Sequence, residues 1–249
     1  MTLTWKNSLF YIMLLLLVAS CTEDSAKGKS TSKLKMEATI FALSDNRLSG
    51  PSLAEDVEIT VRLTLGNFGD SIRLENGGTI VAHVNGVEHE LEEIEIAPIP
   101  PYSYDSKYYY RITLSEMSAQ AEIRIAINRP SKTSALYSIV TLPTKPANFV
   151  PTDNTTLFRA QDVYTSWLQE DANDTISINL AACILSDHIF TMNDTGEFTI
   201  TSDTFMPHDA ACDGTISIRR IREGTPDSTL GQSSITATRK SINRITVEP

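Results

Sequence analysis

The chain has 249 residues, a formal net charge of −10 and a sequence pI near 4.9, long enough for one large domain or two small ones. Hydrophobic residues make up 41% and charged residues 21%, a globular composition that excludes global disorder. Such an acidic chain repels phosphates, which excludes a generic nucleic-acid binder.

Residues 1–20 read as a signal peptide. Lys6 supplies the positive start, an apolar run extends from Leu9 to Ala19, and Ala19-Ser20 closes it. The run is shorter than the roughly 20 residues that span a bilayer, and an uncleaved membrane anchor is the alternative. Cys21 follows Val18-Ala19-Ser20 directly, and this arrangement resembles the lipobox of bacterial lipoproteins. The resemblance implies cleavage before Cys21 and acylation of its thiol and new amino group. Thr22, rather than an aspartate, follows the cysteine, which in that family implies a lipid-anchored place in the outer membrane. Each buried CH₂ of the acyl chains contributes roughly 0.8 kcal/mol to anchoring.

Residues 21–36 then form the lipidated cysteine and a flexible tether, rich in Ser, Thr, Lys and Gly. Its Lys27, Lys29, Lys33 and Lys35 suit either solvation or contact with anionic headgroups.

From there the pattern is strand-like. Lys35–Leu43 alternates through Met36, Ala38, Ile40 and Ala42, and Val57–Leu65 through Val57, Ile59, Val61, Leu63 and Leu65. Period two with one polar face predicts half-buried strands. Thr79–Glu92 reads as a hairpin about Asn85-Gly86, the dipeptide of a type I′ turn. Pairing Val84 with Val87 puts Ile80, Ala82, Val84, Val87, His89 and Leu91 on one face. Strands 108–114, 121–127 and 134–142 complete the first region, and Leu114–Ala121 is too short for a helix. Pro143, Pro146 and Pro151 mark a linker, since proline lacks the ladder donor. Further strands are predicted at 163–167, 175–180, 197–200, 215–221 and 234–247. Short strands at this spacing predict an all-β fold of two antiparallel sandwiches, 37–146 and 147–249.

With Cys21 acylated, Cys183 and Cys212 are the remaining thiols. In an exported chain an even pair is expected to close as a disulfide within the C-terminal sandwich. Its loop of about 30 residues contributes ~3–4 kcal/mol in the chain-entropy account. A buried free pair and a metal site are the alternatives, and two cysteines without a nearby histidine pair are too few for structural zinc.

Phe158-Arg159-Ala160-Gln161-Asp162, the strand ending at Trp167, Cys183, Asp194-Thr195-Gly196-Glu197-Phe198-Thr199-Ile200, Cys212, Ile218-Arg219-Arg220 and Ser241-Ile242-Asn243-Arg244-Ile245-Thr246 carry a further likeness. With the lipobox, they resemble uncharacterised proteobacterial lipoproteins. The resemblance implies export, lipidation and Ig-like β-sandwich domains, and transfers no activity.

Asp194-Thr195-Gly196 superficially resembles the aspartic-protease triplet. Those enzymes need two such aspartates sharing a proton, and the chain has no second triplet. A structural turn is expected, with Asp194 accepting from backbone N–H groups just ahead. His83 and His89 fall on opposite hairpin faces, while His188 and His208 lie within the cysteine loop. Asp171, Asp174, Asp203, Asp209 and Asp213 read as solvated acidic turns, with calcium as the alternative. Five of eight tyrosines fall within residues 102–110. Tyr108 and Tyr110 are expected to alternate into the core with Ile112. Tyr102 and Tyr104 are candidate partner-binding residues on a recognition loop.

The expectation is a structural or binding module of the cell envelope, with the membrane at Cys21 and a protein or glycan as partners. No catalytic residue, metal or cofactor is assigned. An envelope hydrolase with an acidic active site is the alternative.

Overall fold

Alternation decides which residues bury. In β1 (Leu34–Leu43), Met36, Ala38, Ile40 and Ala42 are at most 1% exposed, while Glu37 and Thr39 between them face solvent. The computed structural model describes residues 34–43, 54–65, 70–74, 77–97, 107–182, 188–205 and 210–249. The expected signal peptide, Cys21 and most of the tether lie outside the described residues, as do Tyr102, Tyr104, Cys183, His208 and Asp209. Leu34–Met36, expected at the end of the tether, already belong to β1.

The other strands of the first half are β2 (Ala54–Leu65), β3 (Asp70–Ser71), β4 (Thr79–Val84), β5 (Val87–Glu90), β6 (Glu92–Ile96), β7 (Lys107–Ser118), β8 (Glu122–Asn128) and β9 (Leu136–Thr141). Then follow β10 (Thr155–Phe158), β11 (Val163–Ser166), β12 (Thr175–Ala182), β13 (His188–Asn193), β14 (Glu197–Ile200), β15 (Cys212–Glu223) and β16 (Ser234–Glu248). Among the described residues a 3₁₀ turn covers Ser202–Thr204 and no α-helix occurs. The fold is all-β, built from several antiparallel sheets.

The hairpin is the clearest agreement between sequence and structure. Asn85 and Gly86 take φ of 51° and 81°, and Val84 pairs with Val87. That register buries Ile80, Ala82, Val84 and Leu91, and it separates His83 from His89. Val87 departs from the pattern at 54% exposure, because β5 is the outer strand of its sheet. Strands β3, β6, β10 and β13 were not expected. Strand β7 continues to Ser118 through the stretch considered for a helix, with a bulge where β2 shifts register between Glu55 and Val57.

A ten-stranded sheet has the order β13-β12-β15-β16-β1-β2-β7-β6, with β10 beside β16 and β3 beside β2. Two ladders are parallel, β1 with β16 and β10 with β16, where only antiparallel pairs were expected. A four-stranded sheet, β5-β4-β8-β9, closes over one part of the large sheet, and the pair β11-β14 over the other. Two apolar clusters result. The first joins β1, β2 and β7 to β4, β8 and β9, with Ile40, Ile59, Leu63, Ile80, Ile123 and Ile125 at its centre. The second joins β12, β15 and β16 to β11 and β14 through Ile176, Ile178, Ile216, Ile218, Trp167 and Ile200.

The C-terminal hairpin β15–β16 serves both clusters. Fifteen residues of β16 reach on the order of 50 Å. Ile235 and Ala237 pack in the first cluster, Ile245 and Val247 in the second. Residues 230–237, placed by sequence in the C-terminal sandwich, therefore contribute to the other core.

Tyr110 meets the expectation for it, 3% exposed in the first cluster. Its hydroxyl accepts from the Leu74 N–H at 2.9 Å and donates to Glu93 Oε2 at 3.2 Å. Burial, with the Glu93 carboxylate beside it, pushes its hydroxyl up to about 12.

Candidate functional site

Between the two apolar clusters the inward face of the hairpin turns polar. On β15 the parity that carries Ile216 and Ile218 next carries Arg220 and Arg222. On β16 the corresponding positions are Arg239, Ser241 and Asn243, with Arg220 opposite Arg239 in the ladder. Arginine on a core-facing parity is costly unless every donor finds an acceptor.

Arg220 is fully buried and its guanidinium is well occupied. Nε donates to Asp194 Oδ2 at 3.0 Å. Nη1 donates to the carbonyl and hydroxyl of Thr144, both at 3.0 Å, and to Glu170 Oε2 at 3.2 Å. Nη2 donates to the Leu168 carbonyl. Arg222 grips Asp174 with both arms, Nε to Oδ1 at 2.8 Å and Nη2 to Oδ2 at 2.7 Å, and reaches Glu170 Oε1 at 3.0 Å. This fork-to-fork geometry is the strong form of the pair.

Asp194 is 1% exposed and its carboxylate accepts three hydrogen bonds. They come from Trp167 Nε1 at 2.6 Å, the Glu170 N–H at 3.1 Å and Arg220 Nε. The residue is structural, as expected, but the expected mechanism is corrected. Its partners are 24 to 27 residues away in sequence, not the N–H groups just ahead. Gly196 does take the positive φ of a turn, at +87°. Asp174 is likewise corrected from a solvated turn to a residue 2% exposed and held by Arg222. Asp171 and Asp203 remain exposed, as read; Asp213 is exposed too but lies on β15 rather than in a turn.

These residues bridge the two clusters. Glu170 also accepts from the Gln120 amide, which precedes the proline-marked linker, and from the N–H and hydroxyl of Thr144, which lies within it after Pro143. Ser241 Oγ donates to the Pro146 carbonyl at 2.8 Å, and Asn243 Nδ2 to that of Pro151 at 2.7 Å. A proline-rich segment cannot donate fully to a ladder, so its carbonyls are taken up by side chains of β16. Two cations, Arg220 and Arg222, thus hold three carboxylates, Glu170, Asp174 and Asp194, while Arg239 donates to the Met117 carbonyl at 3.1 Å.

Burial would raise the Glu170 carboxyl, but the Thr144 donors and the Arg222 guanidinium outweigh it and hold it below its ordinary value. Hydrogen bonding to Asp174 raises Arg222 against the effect of burial. A carboxyl depressed on folding stabilises the native state above its unfolded pKa of about 4.3. That contribution is lost as pH falls through the folded value. Glu170→Gln is therefore expected to flatten the fall in stability below about pH 4.3. Urea unfolding of both proteins from neutral to acid pH measures it, and parallel curves would refute it.

At the far end of the second cluster, Cys212 opens β15 and packs against that core. Ala182, which directly precedes Cys183, pairs with Gly214.

No protein-family model matches the chain and no curated protein matches it. One solved structure, described as "Structural insight into host cell surface retention of a 1.5-MDa bacterial ice-binding adhesin", aligns with 88% of this chain at 9% identity and a TM-score of 0.24. The aligned region is 66% of that chain, just under two thirds. A likeness at that level carries no argument about function.

Sequence reasoning took Asp194 and Asp174 one at a time and missed the cluster. The available signal was parity, since Arg220 and Arg222 continue the buried series of Ile216 and Ile218.

Proposed function

We propose that the chain is a lipid-anchored protein of the cell envelope, attached through Cys21, whose β-body serves as a structural or binding module for a protein or glycan partner. The supporting observation is the use of its inward carboxylates. Asp194, Asp174 and Glu170 are all engaged by Arg220 or Arg222 between the two cores. Acid–base catalysis needs carboxyls free to exchange protons with a substrate, so this arrangement favours a stiffening role over the alternative of an envelope hydrolase. The ordering of charge, apolar run, small residues and Cys21 supports the anchor.

The same reading includes a Cys183–Cys212 disulfide. Its support is the pairing of Ala182 with Gly214, two residues from Cys212, in a chain read as exported.

Mass spectrometry of membrane-extracted protein tests the anchor. An acyl mass gain on the peptide beginning at Cys21 is expected, and an unmodified peptide running through Ser20 into Cys21 would overturn it. The unreduced digest should also contain a peptide linking Cys183 to Cys212, whereas labelling of both thiols in folded protein excludes the bond. Affinity capture of the lipidated protein from its own membranes then tests the binding role. Turnover of peptide or glycan at acid pH, abolished by Asp194→Asn while the variant remains folded by circular dichroism, would favour the hydrolase instead.

A further inference from the structure

On the opposite, outward face of the same hairpin, Arg219 and Lys240 are direct cross-strand partners. Their Cα atoms are therefore roughly 5 Å apart, and like charges directly opposite destabilise a ladder. Neither side chain makes an ion pair or hydrogen bond with a described residue. Arg73, Arg111 and Arg124, also on strands or their flanks, each meet a glutamate.

The position of the pair is fixed by its surroundings. The Arg219 guanidinium lies 5.9 Å from the Phe41 ring, which holds it in place without neutralising it. The row continues across the sheet to Ser177, opposite Arg219, and to Thr191, opposite Ser177. Ser217 lies two residues along on the same face and is 7% exposed. The outward carboxylates of the hairpin are Glu223 and Asp213 on β15, four and six residues from Arg219, or about 13 and 20 Å along the strand, and Glu248 on β16, eight residues from Lys240. On β2, Glu58 is engaged by Arg111, and Asp56 lies two strands from β16, about 10 Å away.

We propose that Arg219 and Lys240, with the flanking hydroxyls of Ser177 and Ser217, form a binding site for a phosphate group. A phosphate would neutralise the like-charge pair and accept from both cations and the hydroxyls together. Burial and then the Arg219 charge depress the Lys240 ammonium, so the pair already bears an electrostatic cost that an anion relieves. The site rests on different residues from the ionic cluster and does not depend on the proposed function.

The test uses the full chain in detergent, with two probes at constant ionic strength. One is inorganic phosphate against chloride, the other is vesicles containing phosphatidylglycerol against neutral vesicles. Saturable binding is expected for at least one probe, weakened roughly tenfold by Arg219→Ser or Lys240→Gln, as for loss of one charge-assisted bond. Lys240→Arg should retain it. The tighter probe identifies a free phosphate or a lipid headgroup as the source. Without phosphate, Lys240→Gln should unfold no earlier than wild type, since it relieves a repulsion. Absence of binding by both probes, or equal binding by wild type and the two neutral variants, would overturn the proposal.

Discussion

Asp194→Ala is expected to lower the unfolding free energy by about 3–5 kcal/mol, because it removes the carboxylate at Arg220 Nε and leaves the buried charge to Glu170 Oε2 at 3.2 Å. The Trp167 indole and the Glu170 N–H lose their acceptor in the same step. Asparagine is a poor rescue. Its oxygen can accept from one side, but its amide then points at Arg220 Nε or Trp167 Nε1, donor against donor. A double-mutant cycle separates the pair from its surroundings. Asp194→Ala with Arg220→Met removes both charges and should be less destabilised than the sum of the single variants. Denaturant unfolding measures all four proteins. Strict additivity would mean that Asp194 and Arg220 do not depend on each other.

Where the fold could be read from the chain, one face of a strand was apolar and the other polar. The β1 and β2 alternation and the Asn85-Gly86 turn needed no tertiary information. The parallel placement of β1 and β10 beside β16 could not be read, because it depends on the last strand passing between elements 80 to 200 residues earlier. The ionic cluster was illegible for the same reason. Its members come from 120, 144, 167–174, 194 and 220–222, and only the long hairpin brings them together. A local reading of Asp194-Thr195-Gly196 found a turn, which is present, but could not find Arg220. Strand β13 escaped notice because its alternating residues are only partly buried at the sheet edge, with Ile189 at 64% exposure.

Gly224 is the position where the hairpin approaches the four-stranded sheet most tightly, and Gly224→Ala is expected to cost about 3 kcal/mol, the upper part of the overpacking range. A β-carbon there would lie 2.2 Å from the Ile139 carbonyl oxygen, 2.6 Å from Val140 Cβ and 2.9 Å from Ile235 Cγ2. The nearest of these atoms is backbone, and it cannot swing aside as a side chain would. The same carbonyl accepts from the Thr225 N–H at 2.8 Å, and the Ile139 N–H donates back to Thr225 at 2.9 Å. Relief of the clash therefore pulls β9 from residue 225 and opens the first core beside Val140. Gly86→Ala is the control. Its φ is +81°, but no atom lies within 4 Å of the added carbon, so the cost there is conformational, about 1 kcal/mol. At roughly 2–4 °C per kcal/mol for a chain of this size, Gly224→Ala should lower Tm by about 6–12 °C. It should also expose the Ile139 and Thr225 amides to hydrogen exchange. A Tm loss no greater than that of Gly86→Ala, with those amides still protected, would show that the hairpin and β9 can separate at this point without cost.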